Sequence, residues 1–238
     1  MKDVNNIRSR KFFSGRQAKD YPQVGPTGDQ YKIYQDALHE MCSSRKEKIA
    51  ILELGCGTGR YFHFLSNANK LVGVDISPDM LLKAKENLKT MPALESITTL
   101  VQSSIEDFTP DSTFDFIYSI GTLAEYCEFN EQLFSKIISY LKPGGYFFFT
   151  LVDLESFDSN EYIWPRKKIM RAFLKFLPKS IRNKVDAKWL TYADWKHLFL
   201  KREQVENILK STKASINWEL SKAKDSLHTH HICKVWLR

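Results

Sequence analysis

The chain has 238 residues, 43% hydrophobic and 26% charged, a balance that excludes a disordered or fibrous protein and allows a full buried core. Its net charge of +7 sits in one segment, because Pro165 to Arg202 holds twelve Lys or Arg against Asp186 and Asp194, leaving the remainder slightly acidic. Cys42, Cys56, Cys127 and Cys233 are scattered without a CxxC pair or a zinc-like spacing, and no run is long and apolar enough for a membrane span; the expectation is a soluble, cytoplasmic protein with reduced thiols and no stable membrane insertion.

The first residues are polar and basic and carry no secretory signal pattern. An irregular Gly/Pro stretch from Tyr21 to Gly28 precedes a helix predicted over Gln30 to Cys42, with Ile33, Ala37, Leu38 and Met41 on its inner face. Strand and helix patterns then alternate, as in a parallel sheet covered on both faces. Strands are predicted at Lys48 to Leu54, Lys70 to Val74, Ser96 to Val101, Phe114 to Ser119 and Tyr146 to Val152. Between them, Pro78 to Leu88 has an apolar stripe and a Ser77 cap, and Asn130 to Leu141 has another that stops at Pro143-Gly144-Gly145. After Val152 the alternation breaks until about Arg202; it resumes with a helix near Glu203 to Ser211 and strands at Ser215 to Leu220 and Thr229 to Leu237. The expected organisation is an N-terminal arm and lid helix (1–45), a nucleotide-binding core (46–152), a basic cap insertion (153–202) and a C-terminal helix with the last strands (203–238).

The first strand runs into ILELGCGTGR, residues 51–60. Gly55, Gly57 and Gly59 are spaced GxGxG, closer than the GxGxxG that brings a dinucleotide pyrophosphate against a helix N-terminus. Glu53 stands two residues ahead, awkward beside a pyrophosphate and suitable beside a cation. A cationic nucleoside, S-adenosylmethionine, fits: its ammonium lies near Glu53, and Asp75 at the end of the second strand takes the ribose hydroxyls.

ILELGCGTGR, VGVDISPDML (72–81), FDFIYSIGTL (114–123) and LKPGGYFFFT (141–150) stand in family order, and the chain resembles the class I S-adenosylmethionine-dependent methyltransferases. The resemblance implies an α/β, Rossmann-like, doubly wound seven-stranded sheet, mostly parallel, with an antiparallel C-terminal strand. It also implies that Gly55, Cys56 and Gly57 line the cofactor, Asp75 binds the ribose, and Ile76 and Met80 flank the adenine. Ser104 stands where relatives often carry an aspartate for the adenine amino group, so that bond is weaker or moves to Glu106 or the backbone of Ile105. Ser119, Ile120 and Gly121 should border the sulfonium, with Thr122, Glu125 and Tyr126 nominated to handle the acceptor. Tyr21 and Tyr31 bracket a hinge from which a lid could reach the cofactor.

A general base is needed only where the acceptor loses a proton on attack, and His197, Glu125 and a tyrosine such as Tyr126 are the candidates. A solvated first helical turn explains Glu125 equally well. His228 and His230 share one face of a strand and His231 the other, with no acid or cysteine beside them, so they read as sheet residues and no metal is expected.

The cap places Ile169, Met170, Phe173, Leu174 and Leu177 on one helical face and Lys167, Lys168, Arg171 and Lys175 elsewhere. The leading function is methyl transfer to nitrogen or oxygen of a small metabolite, anionic if those cations face the pocket. The alternatives are tRNA, with residues 165–202 as a phosphate track, and a lipid at a membrane surface. A His197-Leu198-Phe199 segment like that of small tRNA wobble-uridine methyltransferases favours RNA; cap aromatics confined to the apolar stripe count against it. Neutralising Lys167, Lys168 and Arg171 should abolish RNA retention at low salt if RNA is the acceptor, and change at most KM if the acceptor is small.

Overall fold

Ile49–Leu54 is apolar at every position but Glu53 and buried throughout, as a strand covered on both faces must be; it forms β1 at the centre of the sheet. The computed structural model describes residues 2–15, 18, 21, 29–43, 46–156, 192–224 and 229–238. Ala68–Asp75 (β2), Thr98–Gln102 (β3), Phe114–Ser119 (β4), Leu141–Val152 (β5), Ile216–Lys224 (β6) and Thr229–Leu237 (β7) complete seven strands in the order β3-β2-β1-β4-β5-β7-β6. β1 to β5 pair in parallel, while β7 runs antiparallel to both β5 and β6. The winding direction reverses between β1 and β4. Such a switch point opens a crevice beyond the carboxyl ends of the strands, which is where ligands bind in doubly wound sheets.

Each face of the sheet carries its own apolar layer. On one, Phe147 and Phe149 of β5 stack at 4.3 Å and meet Phe129 and Phe134. On the other, Phe116, Tyr118 and Phe148 are packed with Tyr34 and Leu38 of the helix Asp29–Ser43 (α2). The crossover helix Pro78–Leu88 (α3) starts as its sequence predicts: Pro78 stands in the first turn and Ser77 Oγ accepts from the Met80 amide at 3.3 Å. Glu131–Ile138 (α4) is capped by Asn130 and buries Leu133, Phe134, Ile137 and Ile138, and Arg202–Ser211 (α5) lies beside it.

Several boundaries shift by a few residues from the sequence reading, and two departures matter for the fold. The helix predicted to reach Leu141 ends at Ile138, because Leu141 is taken into β5 opposite Phe114. The next pair is Phe116 with Tyr146, so the shift in register absorbs Pro143-Gly144-Gly145. The second departure is the helix Lys2–Phe12 (α1), too polar for its periodicity to announce it. It is held by polar contacts: Ser9 Oγ donates to the Tyr126 carbonyl at 3.0 Å, and the Gly15 amide donates to Asp79 Oδ2 at 2.7 Å. Ser77 Oγ, besides capping α3, donates to the Phe13 carbonyl at 2.7 Å. The amphipathic cap segment and His228 lie outside the described residues, where the chain resumes at a 3-10 turn, Tyr192–Leu198, anchored by the fully buried Trp195. No described helix is long and apolar enough to cross a membrane.

Because one hydroxyl holds both a helix start and the N-terminal arm, Ser77→Ala should cost about 1–2 kcal/mol in urea unfolding. It should also speed hydrogen exchange at the Gly15 amide, which donates to Asp79 next to the lost hydroxyl. Unchanged stability and unchanged exchange would show that the arm is held by other contacts.

Candidate active site

The turn after β1 is built by backbone conformations that only glycine adopts cheaply. Gly55 has φ +78°, and a Cβ there would collide with the Thr122 side chain, which lets the loop after β4 close onto the loop after β1. The amides of Gly55 and Cys56 both donate to the Val74 carbonyl, at 2.8 and 2.9 Å, binding the turn to the end of β2. Gly59, with φ +70°, leaves room for the ring of Phe62.

Glu53 and Asp75 end neighbouring strands in this crevice. Glu53 is 2% exposed and its Oε2 accepts from the Tyr118 hydroxyl at 2.7 Å. Burial pushes its carboxyl up to about 8, against the pull of the Tyr118 hydrogen bond and of Arg60. The Asp75 carboxylate accepts from two amides, Oδ2 from Gly57 and Oδ1 from Ser77, each at 2.8 Å. Burial raises it too, offset by these amides. Asp75 is thereby aimed, with lone pairs left for hydroxyl donors.

Around these acids the structure brings together Tyr21, Gly55, Cys56, Gly57, Ile76, Met80, Ser104, Ile105 and Tyr126, all lining one cleft with Ile120, Gly121 and Thr122. Gly57 leaves the Met80 methyl 3.5 Å from where a Cβ would stand, so backbone and thioether form one wall of a flat apolar slot that Ile76 and Ile105 continue. The Ser104 hydroxyl donates to Asp107 Oδ2 at 2.7 Å and accepts from the Asp107 amide at 3.1 Å. It caps its own turn, and Glu106 lines the cleft beside it.

Five nominated residues fall outside the cleft lining. Ser119 is fully buried and its hydroxyl donates to the Leu54 carbonyl at 2.8 Å, tying β4 to β1. Gly59 is a turn residue, and Tyr31 lies on α2 with its ring 6.4 Å from those of Tyr61 and Phe64. His197 is exposed on the 3-10 turn. Glu125 is buried, with its carboxylate about 4 Å from where a Cβ on Gly121 would stand.

Other lining residues were not singled out in the sequence. Asn6, Ser9 and Phe13 arrive on and just after α1, and Arg60 follows the glycine loop. The Arg60 guanidinium stands 5.3 and 5.1 Å from the ring centroids of Tyr21 and Tyr61, a cation held by aromatic faces at the end of the cleft where Glu53 lies. Its place immediately after GxGxG was the only signal. Phe13 meets Tyr126 edge to face at 4.8 Å, and Tyr126 meets Trp195 at 5.1 Å, so the arm roofs the cleft with aromatic rings. Among the described residues no group of His, Cys, Asp and Glu could hold a metal ion.

These residues fit S-adenosylmethionine: a buried carboxyl for its ammonium, an aimed carboxylate for its ribose, and an apolar slot for its base. Residues 51–145 match the family model described as "Methyltransferase domain". Malonyl-[acyl-carrier protein] O-methyltransferase 2 of Ilyobacter polytropus is 29% identical over 139 residues, covering 56% of this chain and 52% of that protein. Phosphoethanolamine N-methyltransferase 3 of Arabidopsis thaliana is 33% identical over 97 residues, covering 40% of this chain and 19% of that one. The chain thus spans about half, or less, of the length of these two curated relatives. Among solved structures, magnesium protoporphyrin IX methyltransferase of Synechocystis PCC 6803 with bound S-adenosylmethionine superposes with a TM-score of 0.61 at 12% identity, covering 98% of this chain and 97% of that one. Residues 51–145, from the central strand into β5, are thus a methyltransferase domain, and the strand order around it is that of the class I, Rossmann-like S-adenosylmethionine-dependent methyltransferase fold.

Proposed function

We propose that the protein transfers the methyl group of S-adenosylmethionine to a nitrogen or oxygen of a small, anionic acceptor. The observation that carries this reading is the pairing of Glu53, a carboxyl buried at the end of β1, with Asp75, a carboxylate aimed by two amides at the end of β2, across the crevice at the switch point of the sheet. The bound donor supplies a carbon already activated by a positive sulfur. What remains for the chain is to align the partners and exclude water.

Glu53 would hold the methionyl ammonium and Arg60 the methionyl carboxylate, while Asp75 would accept from the ribose hydroxyls. Phe13, Tyr21 and Tyr126 would shut the cleft from solvent. Two of the relatives are named as a malonyl-[acyl-carrier protein] O-methyltransferase and a phosphoethanolamine N-methyltransferase, and these names support an oxygen or nitrogen acceptor on a molecule that bears an anionic group. The basic cap lies outside the described residues, so no structural observation favours RNA.

Two measurements test this reading. Asp75→Ala should weaken S-adenosylmethionine binding about 100-fold in calorimetry, the loss of two hydrogen bonds to a charged acceptor; an unchanged Kd would refute the cofactor site. Glu53 offers a test by proton count. Its carboxyl is held up to about 8, so it is neutral in the free protein near neutral pH, and the free protein loses stability as pH rises through that value. An incoming ammonium favours the carboxylate, so binding near pH 6.5 should release about one proton per molecule bound, read from the buffer dependence of the heat. Glu53→Gln should bind more weakly and release none.

A further inference from the structure

Beyond the donor half of the cleft, the structure buries a polar cluster that the cofactor does not use. We propose that Glu125, backed by His230 and Tyr34, is the general base of the acceptor site, and that the acceptor is therefore an amine or hydroxyl that surrenders a proton on methylation. This rests on the methyl-transfer reading above and narrows its substrate class.

Four observations converge. Glu125 is 5% exposed, and its carboxylate oxygens stand 3.9 and 4.0 Å from where a Cβ on Gly121 would be. Gly121 lines the cleft, and the space its missing side chain leaves open has the Glu125 carboxylate as its nearest neighbour. His230 Nδ1 lies 3.8 Å from Glu125 Oε1, and the Tyr34 hydroxyl lies 3.4 Å from the same nitrogen. Three elements distant in sequence, α2, the loop after β4 and β7, thus converge on one proton-handling group. The loop is also strained: Ala124, fully buried, is the one described residue other than glycine with positive φ, at 51°. Such strain persists where the surroundings impose it, here on the residue next to Glu125, while Thr150 Oγ1 fixes Gly121 by accepting its amide at 3.0 Å.

The chemistry balances. The lone pair of the acceptor nitrogen or oxygen forms a bond to the methyl carbon, the carbon–sulfur bond breaks with its electron pair going to sulfur, and the acceptor proton passes to Glu125. His230 acts through Glu125 as a positioning residue that shares this proton, and Tyr34 fixes its ring. The charged and titratable groups facing Glu125 are His230 and Tyr34 on one side and Arg60, Tyr126 and Cys127 on the other. Carboxylate and imidazole so close titrate as a pair, and the reaction needs the pair short of its last proton.

The test uses the full chain with methyl-labelled S-adenosylmethionine and three sets of small anionic probes: primary amines, alcohols, and carboxylic acids lacking both groups. Products are identified by mass spectrometry, and donor affinity is measured in parallel. The expected result is label on amine nitrogen or hydroxyl oxygen. Glu125→Gln should lower kcat about 100-fold or more with donor Kd within about threefold. His230→Gln should move the acid limb of the kcat profile to higher pH, because a carboxylate without an imidazolium beside it takes its proton at higher pH than the pair takes its last one, a shift that a merely structural histidine would not produce. Methyl esters as the only product, Glu125→Gln within fivefold of the wild type, or an unmoved acid limb would overturn the base while leaving methyl transfer intact. No label in any product, with Asp75→Ala binding the donor as the wild type does, would overturn the underlying reading itself.

Discussion

A carboxyl group sealed at the end of the central strand is the constraint on which the site depends. Glu53 is surrounded by apolar residues of β1, β2 and β4, and burying its charge there without a partner would be costly. The fold meets that cost in two ways: the Tyr118 hydroxyl gives the carboxyl a hydrogen bond from the next strand, and burial keeps the proton on. A ligand that brings its own positive charge relieves what remains. The same register that sets Glu53 opposite Tyr118 on β4 sets it opposite Gly73 on β2, whose missing side chain makes room for Cys56 and Leu100.

On the proposed reading the crevice divides its work. The donor half would rest on the centre of the sheet, where amides and glycine turns aim Asp75. The acceptor half would be assembled from less regular pieces: a strained loop after β4, a polar helix laid over the cleft, and an antiparallel strand that returns from the edge of the sheet. This division suits a family in which one donor serves many acceptors. The parts that hold the common substrate sit in the sheet, and the parts that choose the other are attached around its rim.

The part of the cleft formed by the ends of β1 and β2 was legible in the sequence because local rules govern it. Glycine spacing reports backbone conformation, an acid at a strand end reports its direction, and alternating patterns report the layers. The acceptor half was less legible because its contacts are long-range. Period-two alternation put His230 and His228 on one face of β7, but nothing local said that β7 would lie beside β5 with His230 opposite Val152, near Glu125. His197 was the more conspicuous histidine for its resemblance to a known segment, and the structure leaves it exposed. Ser119 was placed at the sulfonium by its position at a strand end, yet its hydroxyl points back into the sheet to Leu54. The α1 helix escaped notice because it docks through Ser9 and the single ring of Phe12, with Ser77 and Asp79 holding the residues just after it, while Val4 and Ile7 stay more than half exposed, which is not the pattern that hydrophobic periodicity detects.

The account turns on how a methionyl nucleoside would lie in this crevice, and a crystal structure of the full chain with S-adenosylhomocysteine addresses that directly. The expected complex has the amino group about 3 Å from Glu53, both ribose hydroxyls on Asp75, the base between Met80 and Ile105, and the sulfur beside Gly121. A ligand bound with its ribose away from Asp75, or with a carboxylate facing Glu53, would contradict it.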